Sequence, residues 1–189
     1  MKFVDQSGDE RLLVVTISGP PGSGTSTLVS KVSENFGWRS MNGGAVFREE
    51  AHRRGISVEE LSSKAKEDLE VDKSLDKLLQ SRMASDDCPE IVESRLCGWW
   101  AFNNNLECTR VWVEVSDIER ARRIQKREGG TLQDCLERSE KRQIDDKERY
   151  MELYGIDLGD MSPYTLIVYA DDKDEEEVFS IVKNELEGN

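Results

Sequence analysis

The stretch "TISGPPGSGTSTLVSKV", residues 16–32, decides the fold of this 189-residue chain. It overlaps an apolar, β-branched run, 12–18 (LLVVTIS), and leads into a segment in which Leu28, Val29 and Val32 recur at helical spacing. A glycine-rich turn between a buried strand and a helix points its backbone N–H groups inward, where the positive end of the helix dipole also attracts anions. The sequence therefore predicts a strand, a phosphate-binding loop and a helix in succession.

One position of the loop departs from the usual pattern G-x-x-x-x-G-K-[ST], because Thr25 stands where the lysine belongs. Ser26 occupies the position whose hydroxyl binds Mg²⁺. The lysine normally places its charge on the β- and γ-phosphates, so other cations have to stabilise the transferred group here. A purely structural turn is the alternative, but the loop's spacing favours ATP binding by nine consecutive residues: Gly19, Pro20, Pro21, Gly22, Ser23, Gly24, Thr25, Ser26 and Thr27.

The composition narrows the class of protein. A net charge of -13 opposes binding to nucleic acid or to an anionic membrane. No apolar run approaches the ~20 residues of a membrane span, and the first ten residues lack the apolar core of a signal peptide. The four cysteines include no C-x-x-C pair, which argues against structural zinc and favours a reducing compartment. We therefore expect a cytoplasmic monomer whose partners are small-molecule nucleotides, with no nucleic acid or membrane partner.

Strand-like and helix-like segments alternate along the chain. Ser57 with Glu60 three residues later is typical of a helix N-cap. Beyond the first strand, the patterns predict strands over 89–94, 110–115 and 164–169, and helices over 25–35, 45–54, 58–84 (two, separated near 68–70), 117–127, 132–153 and 174–187. The alternation predicts a single α/β domain over 1–189, a three-layer sandwich in which helices flank a parallel sheet of about five strands.

Charged side chains share one face on each of the two predicted helices that flank Gly129-Gly130. The spacings are i, i+3, i+7 on the first helix and i, i+4, i+7 on the second. Two such helices joined by a mobile turn could close over phosphates as a lid that excludes water. The alternative is a pair of solvated faces with Glu–Arg ion pairs. The lid residues would be Arg120, Arg123 and Arg127, followed by Arg142, Asp146 and Arg149.

Three further charged residues lie at the ends of predicted elements. Arg95 directly follows the strand 89–94, and ligands of open α/β sheets collect at the carboxyl ends of strands. A guanidinium there can hold a second phosphate through two parallel hydrogen bonds. Arg48 lies near the start of a predicted helix and is a second candidate for that phosphate. Glu93 is a candidate to hold Mg²⁺ through water, and an ordinary strand-end carboxylate is the alternative.

These motifs together resemble the archaeal-type cytidylate kinases, which are nucleoside monophosphate kinases of the P-loop NTPase class. The resemblance covers nearly the whole chain after the first ten residues and rests on ISGPPGSGTST, GGAVFRE, ESRLCGWW, ERARRIQKREG and KRQIDDKERYMELYGID. That subfamily typically has G-S-G-T-T-T in its loop, so Thr25 fits it. Ser94 and Cys97 depart from the family's E-G-R-x-A-G-W and add bulk beside the expected acceptor phosphate.

The resemblance implies transfer of the γ-phosphoryl group of ATP, with Mg²⁺, to CMP or dCMP. Gly19 to Thr27 would bind the ATP phosphates, and Arg48 and Arg95 the acceptor phosphate. An N-terminal extension, acceptor-binding helices and a lid would then occupy about 1–10, 43–85 and 120–153. An adenylate or other small-molecule kinase on the same fold remains an alternative, as does a nucleotide-binding regulatory protein without catalysis.

Overall fold

Five parallel strands form the central sheet of the computed structural model, which describes residues 13–188 except for the side chains of 62, 65 and 66. The sheet has the order β2-β3-β1-β4-β5. The N-terminal extension expected over 1–10, and the first residue of the predicted strand 12–18, lie outside the described residues. The strands are β1 (Val15–Ser18), β2 (Ser40–Asn42), β3 (Ile91–Glu93), β4 (Thr109–Glu114) and β5 (Leu166–Tyr169).

Eight helices connect and cover these strands within the described part of the chain. Ser57 accepts a hydrogen bond from the Glu60 amide at 3.0 Å, which confirms the predicted N-cap. No described helix is long and apolar enough to cross a membrane. The helices are α1 (Thr25–Phe36), α2 (Gly43–Arg54), α3 (Val58–Glu67), α4 (Leu69–Met83), α5 (Cys97–Asn103), α6 (Asp117–Glu128), α7 (Leu132–Tyr154) and α8 (Glu175–Gly188).

The sheet is buried on both faces, as the near-continuous apolar strands predict. On one face, Val15 and Ile17 of β1 pack with Val32 of α1 and Val182 of α8, all of them fully buried. The opposite face is covered by a second cluster that joins Val92, Leu96, Trp100 and Tyr150 from β3, the turn after it, α5 and α7. The predicted α/β sandwich with a five-stranded parallel sheet is therefore confirmed.

Two elements, β2 and α5, were absent from the sequence prediction. β2 has only three residues, on the edge of the sheet, and two of them are exposed, so it shows no apolar run. α5 has seven residues, too few for a helical period to stand out. Its position depends on tertiary packing: a Cβ added at Gly98 would lie 2.4 Å from the Tyr164 ring.

The sheet order brings three chain segments to one edge. In the register of the parallel strands, Ile17 of β1 and Asn42 of β2 are both partners of Glu93 in β3. The carboxyl ends of these strands therefore lie side by side. The glycine-rich loop, the start of α2 and Arg95 all follow them directly, and this is the edge at which open α/β sheets bind ligands.

Candidate active site

The glycine-rich loop has the backbone that an anion site requires. Gly22 and Gly24 have φ values of 87° and 92°, in the left-handed region that side-chain-bearing residues rarely adopt. Gly24 is the N-cap of α1 and supplies no side-chain hydrogen bond, and the first turn of this helix contains no acidic residue. The first amides of α1 therefore have no side-chain cap, and the positive end of the helix faces the loop.

Glu93 ties the end of β3 to the start of α1. Its Oε1 atom accepts hydrogen bonds from Thr25 Oγ1 at 2.6 Å and from Ser26 Oγ at 3.0 Å. The hydroxyl at the position of the missing lysine thus has a defined partner. Two hydroxyls and a carboxylate converge here, and oxygen donors of this kind suit Mg²⁺.

Arg95 connects the loop to α7. Its Nη1 donates to the Gly19 carbonyl at 2.7 Å, and its Nη2 donates to Asp146 Oδ2 at 2.8 Å. The Arg95 side chain is only 12% exposed. Burial lowers the pKa of this guanidinium, and Asp146 opposes that effect. Arg95 and Asp146, proposed from separate motifs, are therefore direct partners.

A cavity of about 540 Å³ opens beside this pair. Arg48 and Arg142 also line it, and no hydrogen bond or ion pair joins either side chain to another described residue. The structure places six of the site residues predicted from sequence around one space: Ser26, Arg48, Glu93, Arg95, Arg142 and Arg149.

The arginines of α6 occupy a different place from those of α7. Arg120 is fully buried, where it donates to the Pro21 carbonyl at 3.2 Å and pairs with Asp117. Arg123 donates to the Ser23 carbonyl at 3.1 Å and to the Ala170 carbonyl at 2.6 Å. Neither residue lines the cavity. The helical spacing predicted that these arginines belong to a lid over the phosphates, whereas here both guanidiniums are bound to backbone carbonyls of the loop.

Two acidic residues of α4 also line the cavity, and the sequence analysis missed them. Asp72 Oδ2 lies 3.5 Å from Arg149 Nε, and the Asp76 carboxylate accepts a hydrogen bond from Tyr154 at 2.7 Å. Burial raises the pKa of Asp72, and it raises the pKa of Asp76 to about 6. The only sequence signal was their i, i+4 spacing, which also fits a solvated helix face.

Comparisons with known proteins decide the family. A family model described as "AAA domain" matches residues 18–150. The cytidylate kinase of Pyrococcus furiosus is 36% identical over 171 residues, which are 90% of this chain and 86% of that protein. The cytidylate kinase of Archaeoglobus fulgidus is 38% identical over 173 residues, 92% of this chain and 94% of that protein. The chain belongs to the cytidylate kinase family.

Solved structures agree with this assignment at the level of the fold. A shikimate kinase from Bacteroides thetaiotaomicron matches with a TM-score of 0.61 and 14% identity over 93% of this chain and 98% of that one. A gluconokinase from Sinorhizobium meliloti matches with a TM-score of 0.60 and 16% identity over 94% and 93%. The sequence relatives confirm the resemblance stated from the motifs, and Thr25 therefore stands in the loop of a kinase-family chain.

Proposed function

We propose that the protein transfers the γ-phosphoryl group of ATP to CMP or dCMP, giving ADP and CDP or dCDP. The observation that carries this proposal is the cavity beside the phosphate loop, where Arg48 and Arg142 have no hydrogen-bond or ion-pair partner among the described residues. A protein that only bound ATP would need no second group of cations there. Membership of the cytidylate kinase family supports the choice of acceptor.

The reaction asks the protein for positioning and charge rather than for covalent chemistry. An oxygen of the acceptor phosphate attacks the γ-phosphorus, the bond from that phosphorus to the bridging oxygen breaks, and ADP leaves. In this proposal the loop from Gly19 to Thr27 holds the donor phosphates. Arg48 and Arg95 hold the acceptor phosphate, and Arg142, which lines the same cavity, stabilises the charge that spreads over the transferred oxygens.

Arg95 is positioned for this role before any ligand binds. The Gly19 carbonyl and the Asp146 carboxylate fix its guanidinium where the donor loop meets the acceptor cavity. A side chain that is already ordered loses less conformational entropy when substrate arrives. In the proposed division of the chain, α2 and α4 belong to the acceptor-binding helices of 43–85, and α6 and α7 form the lid of 120–153.

The residues at the end of β3 fit a magnesium ion. Ser26 would bind it directly and Glu93 through water, because their oxygens lie 3.0 Å apart beside the loop. No group of three or more histidine, cysteine or acidic residues suited to a metal occurs in the described chain, and Mg²⁺ in kinases takes most of its ligands from phosphates and water. When bound, the ion neutralises charge on the phosphate oxygens.

One chain supplies both the loop and the cavity, so a monomer is sufficient for the proposed activity. All four cysteines are free and buried, which supports a reducing cytoplasmic location. Small-molecule nucleotides would then be its partners. Sedimentation of the ATP-bound protein at catalytic concentration tests the monomer.

ATP consumption with a panel of acceptors tests the proposed function. CMP and dCMP should give kcat/KM values well above those of UMP, AMP and shikimate in the presence of Mg²⁺. A higher value for AMP would overturn the cytidylate assignment and leave the fold intact. ATP binding without turnover on any acceptor would favour the regulatory alternative.

A further inference from the structure

Side chains of both charges line the cavity. Arg48, Arg95 and Arg142 line it together with Asp72 and Asp76 of α4. A site for phosphate alone gains nothing from two carboxylates, which repel an anion in a partly buried space. A ligand that suits both kinds of side chain carries a phosphate and, elsewhere on the molecule, hydrogen-bond donors.

Asp72 has an unused acceptor inside the protein. Its side chain is 10% exposed, and its Oδ2 atom is buried and accepts no hydrogen bond. The nearest cation, Arg149 Nε, lies 3.5 Å away and is itself buried without a hydrogen-bond partner. Buried carboxylate oxygens almost always have a partner. This one belongs to a residue that lines the cavity, so it is an acceptor available to a ligand bound there.

Asp76 is held in place by the neighbouring helix. Tyr154 donates to Asp76 Oδ2 at 2.7 Å, and the Tyr154 ring packs edge-on against Trp100 with centroids 4.9 Å apart. Residues 72 and 76 are one turn apart on α4 and line the same cavity. The two carboxylates therefore present hydrogen-bond acceptors to the same cavity.

Apolar side chains also line the cavity. Phe47 of α2 and Leu75 of α4 line it and belong to the same small apolar cluster. Val46 and Leu79 line it from the same two helices. A flat ring that contacts these side chains would bury apolar surface in the same cavity as the two acids.

We propose that Asp72 and Asp76 read the base of the acceptor by accepting hydrogen bonds from the exocyclic amino group of cytosine. The inference rests on the proposed function and specifies its acceptor site. Uracil carries a carbonyl oxygen where cytosine carries the amino group, so its lone pairs would face carboxylate oxygens. The pair thus selects an amino group over a carbonyl, because a buried acceptor without its donor is unfavourable.

Conservative substitutions test the protein's side of this contact. Asp72→Asn and Asp76→Asn keep the size of the side chain, and an amide can donate to the uracil carbonyl. Each should lower the preference for CMP over UMP in kcat/KM by about 10–10³-fold. Glu70→Gln, at an exposed position on the same helix, is the matched control and should leave the preference unchanged. An unchanged preference in both Asn variants would overturn the inference.

A change in the ligand tests the same contact without relying on a folded variant. The ribonucleoside 5′-monophosphate of 2-pyrimidinone lacks only the amino group of CMP. Wild type should bind it at least tenfold more weakly than CMP by calorimetry, and the Asn variants should bind the two ligands about equally. If the Asn substitutions weaken CMP but not dCMP, the carboxylates hold the 2′-hydroxyl and the inference is wrong.

The same measurements separate this inference from the proposed function. A wild-type protein that phosphorylates no CMP would refute the proposed function. The equilibrium affinities for CMP and UMP would still decide whether Asp72 and Asp76 recognise the base. A protein that phosphorylates CMP but binds 2-pyrimidinone monophosphate equally well would retain its function and lose the inference.

Discussion

At the scale of single residues, Arg95 joins the two halves of the site. From the sequence, Arg95 as a ligand of the acceptor phosphate looked independent of the donor loop, since it lies 71 positions after Gly24. The structure links them through the hydrogen bond from Arg95 to the Gly19 carbonyl. Arg48 lines the same cavity without any contact to the loop carbonyls. The two arginines should therefore differ in their effect on ATP.

Arg95→Ala should cost about 2–5 kcal/mol of transition-state stabilisation, because it truncates one partner of a largely buried charge pair. It should also raise the KM for ATP, since the Gly19 carbonyl loses its donor. Arg48→Ala should raise the KM for CMP and leave the KM for ATP unchanged. Steady-state kinetics with each substrate varied in turn measure both effects. Wild-type kinetics for Arg95→Ala would refute the proposal that Arg95 holds the acceptor phosphate.

Substitutions at Thr25 and Arg142 test how the site works without the usual lysine of the loop. Thr25 already donates to Glu93 at 2.6 Å, so Thr25→Lys removes that bond and adds an ammonium group to a site that already contains arginines. It should fail to raise kcat. Arg142→Ala should lower kcat by about 10²–10³-fold, the scale of losing one donor to the developing charge. Rapid-quench measurement of the chemical step is the test, with exposed Arg138→Ala on the same helix as control. A faster Thr25→Lys together with an unimpaired Arg142→Ala would contradict this account.

At the scale of elements, long periodic segments were predictable and short ones were not. The first strand and helix were readable because an apolar run, three glycines and a helical period follow one another within a few residues. α5 was missed because it is specified by contact: Gly98 lies against the Tyr164 ring, 66 positions later in the chain. Local propensity carries no information about such a contact.

The candidate site shows the same division between what the sequence predicted and what it could not. The loop, Glu93 and Arg95 could be predicted because glycines or charged residues stand directly at the ends of apolar strands in the sequence. Asp72 and Asp76 could not be predicted, since an acid on a helix is ordinarily solvated. Only the fold shows that Asp72 is buried and Asp76 half-buried, and that Arg149 and Tyr154 of α7 contact them. Arg120 and Arg123 do share one face of α6, as their spacing predicted. That face contacts the carbonyls of the phosphate loop and does not line the cavity.

At the scale of the whole molecule, the arginines of the cavity attract phosphate although the protein has a net charge of -13. The general field repels nucleotides, so binding depends on cations gathered within a few ångströms of the phosphates. Asp72 and Asp76 lower the free energy of unfolding of the ligand-free protein, because burial disfavours their ionised forms. Stability given up for a binding site is a frequent compromise in enzymes.

The pH dependence of stability measures that cost for Asp76. Burial raises its pKa to about 6 against a hydrogen bond from Tyr154, whereas in the unfolded chain an aspartate titrates near 3.9. Between these values the unfolded chain binds fewer protons than the folded one, so this residue lowers the free energy of unfolding as pH rises, with its full effect above about pH 6. Asp76→Asn removes the penalty. The variant should be more stable than wild type at pH 7, on the order of 1–3 kcal/mol, with the difference vanishing toward pH 4.

Urea unfolding of wild type and Asp76→Asn from pH 4 to pH 8, without nucleotide, gives the comparison directly. Subtracting one curve from the other cancels groups with the opposite dependence, such as Glu50. Hydrogen bonds from Arg53 and Arg54 lower the pKa of Glu50 to about 2, so its stabilisation is lost as pH falls below about 4.5. Glu70→Gln should show no such rise in relative stability between pH 4 and pH 7. A variant that is less stable than wild type at pH 7, or a difference that does not change with pH, would mean that ionised Asp76 is tolerated in the folded protein at no cost. Binding of cytosine would then not offset any destabilisation caused by the charge of Asp76.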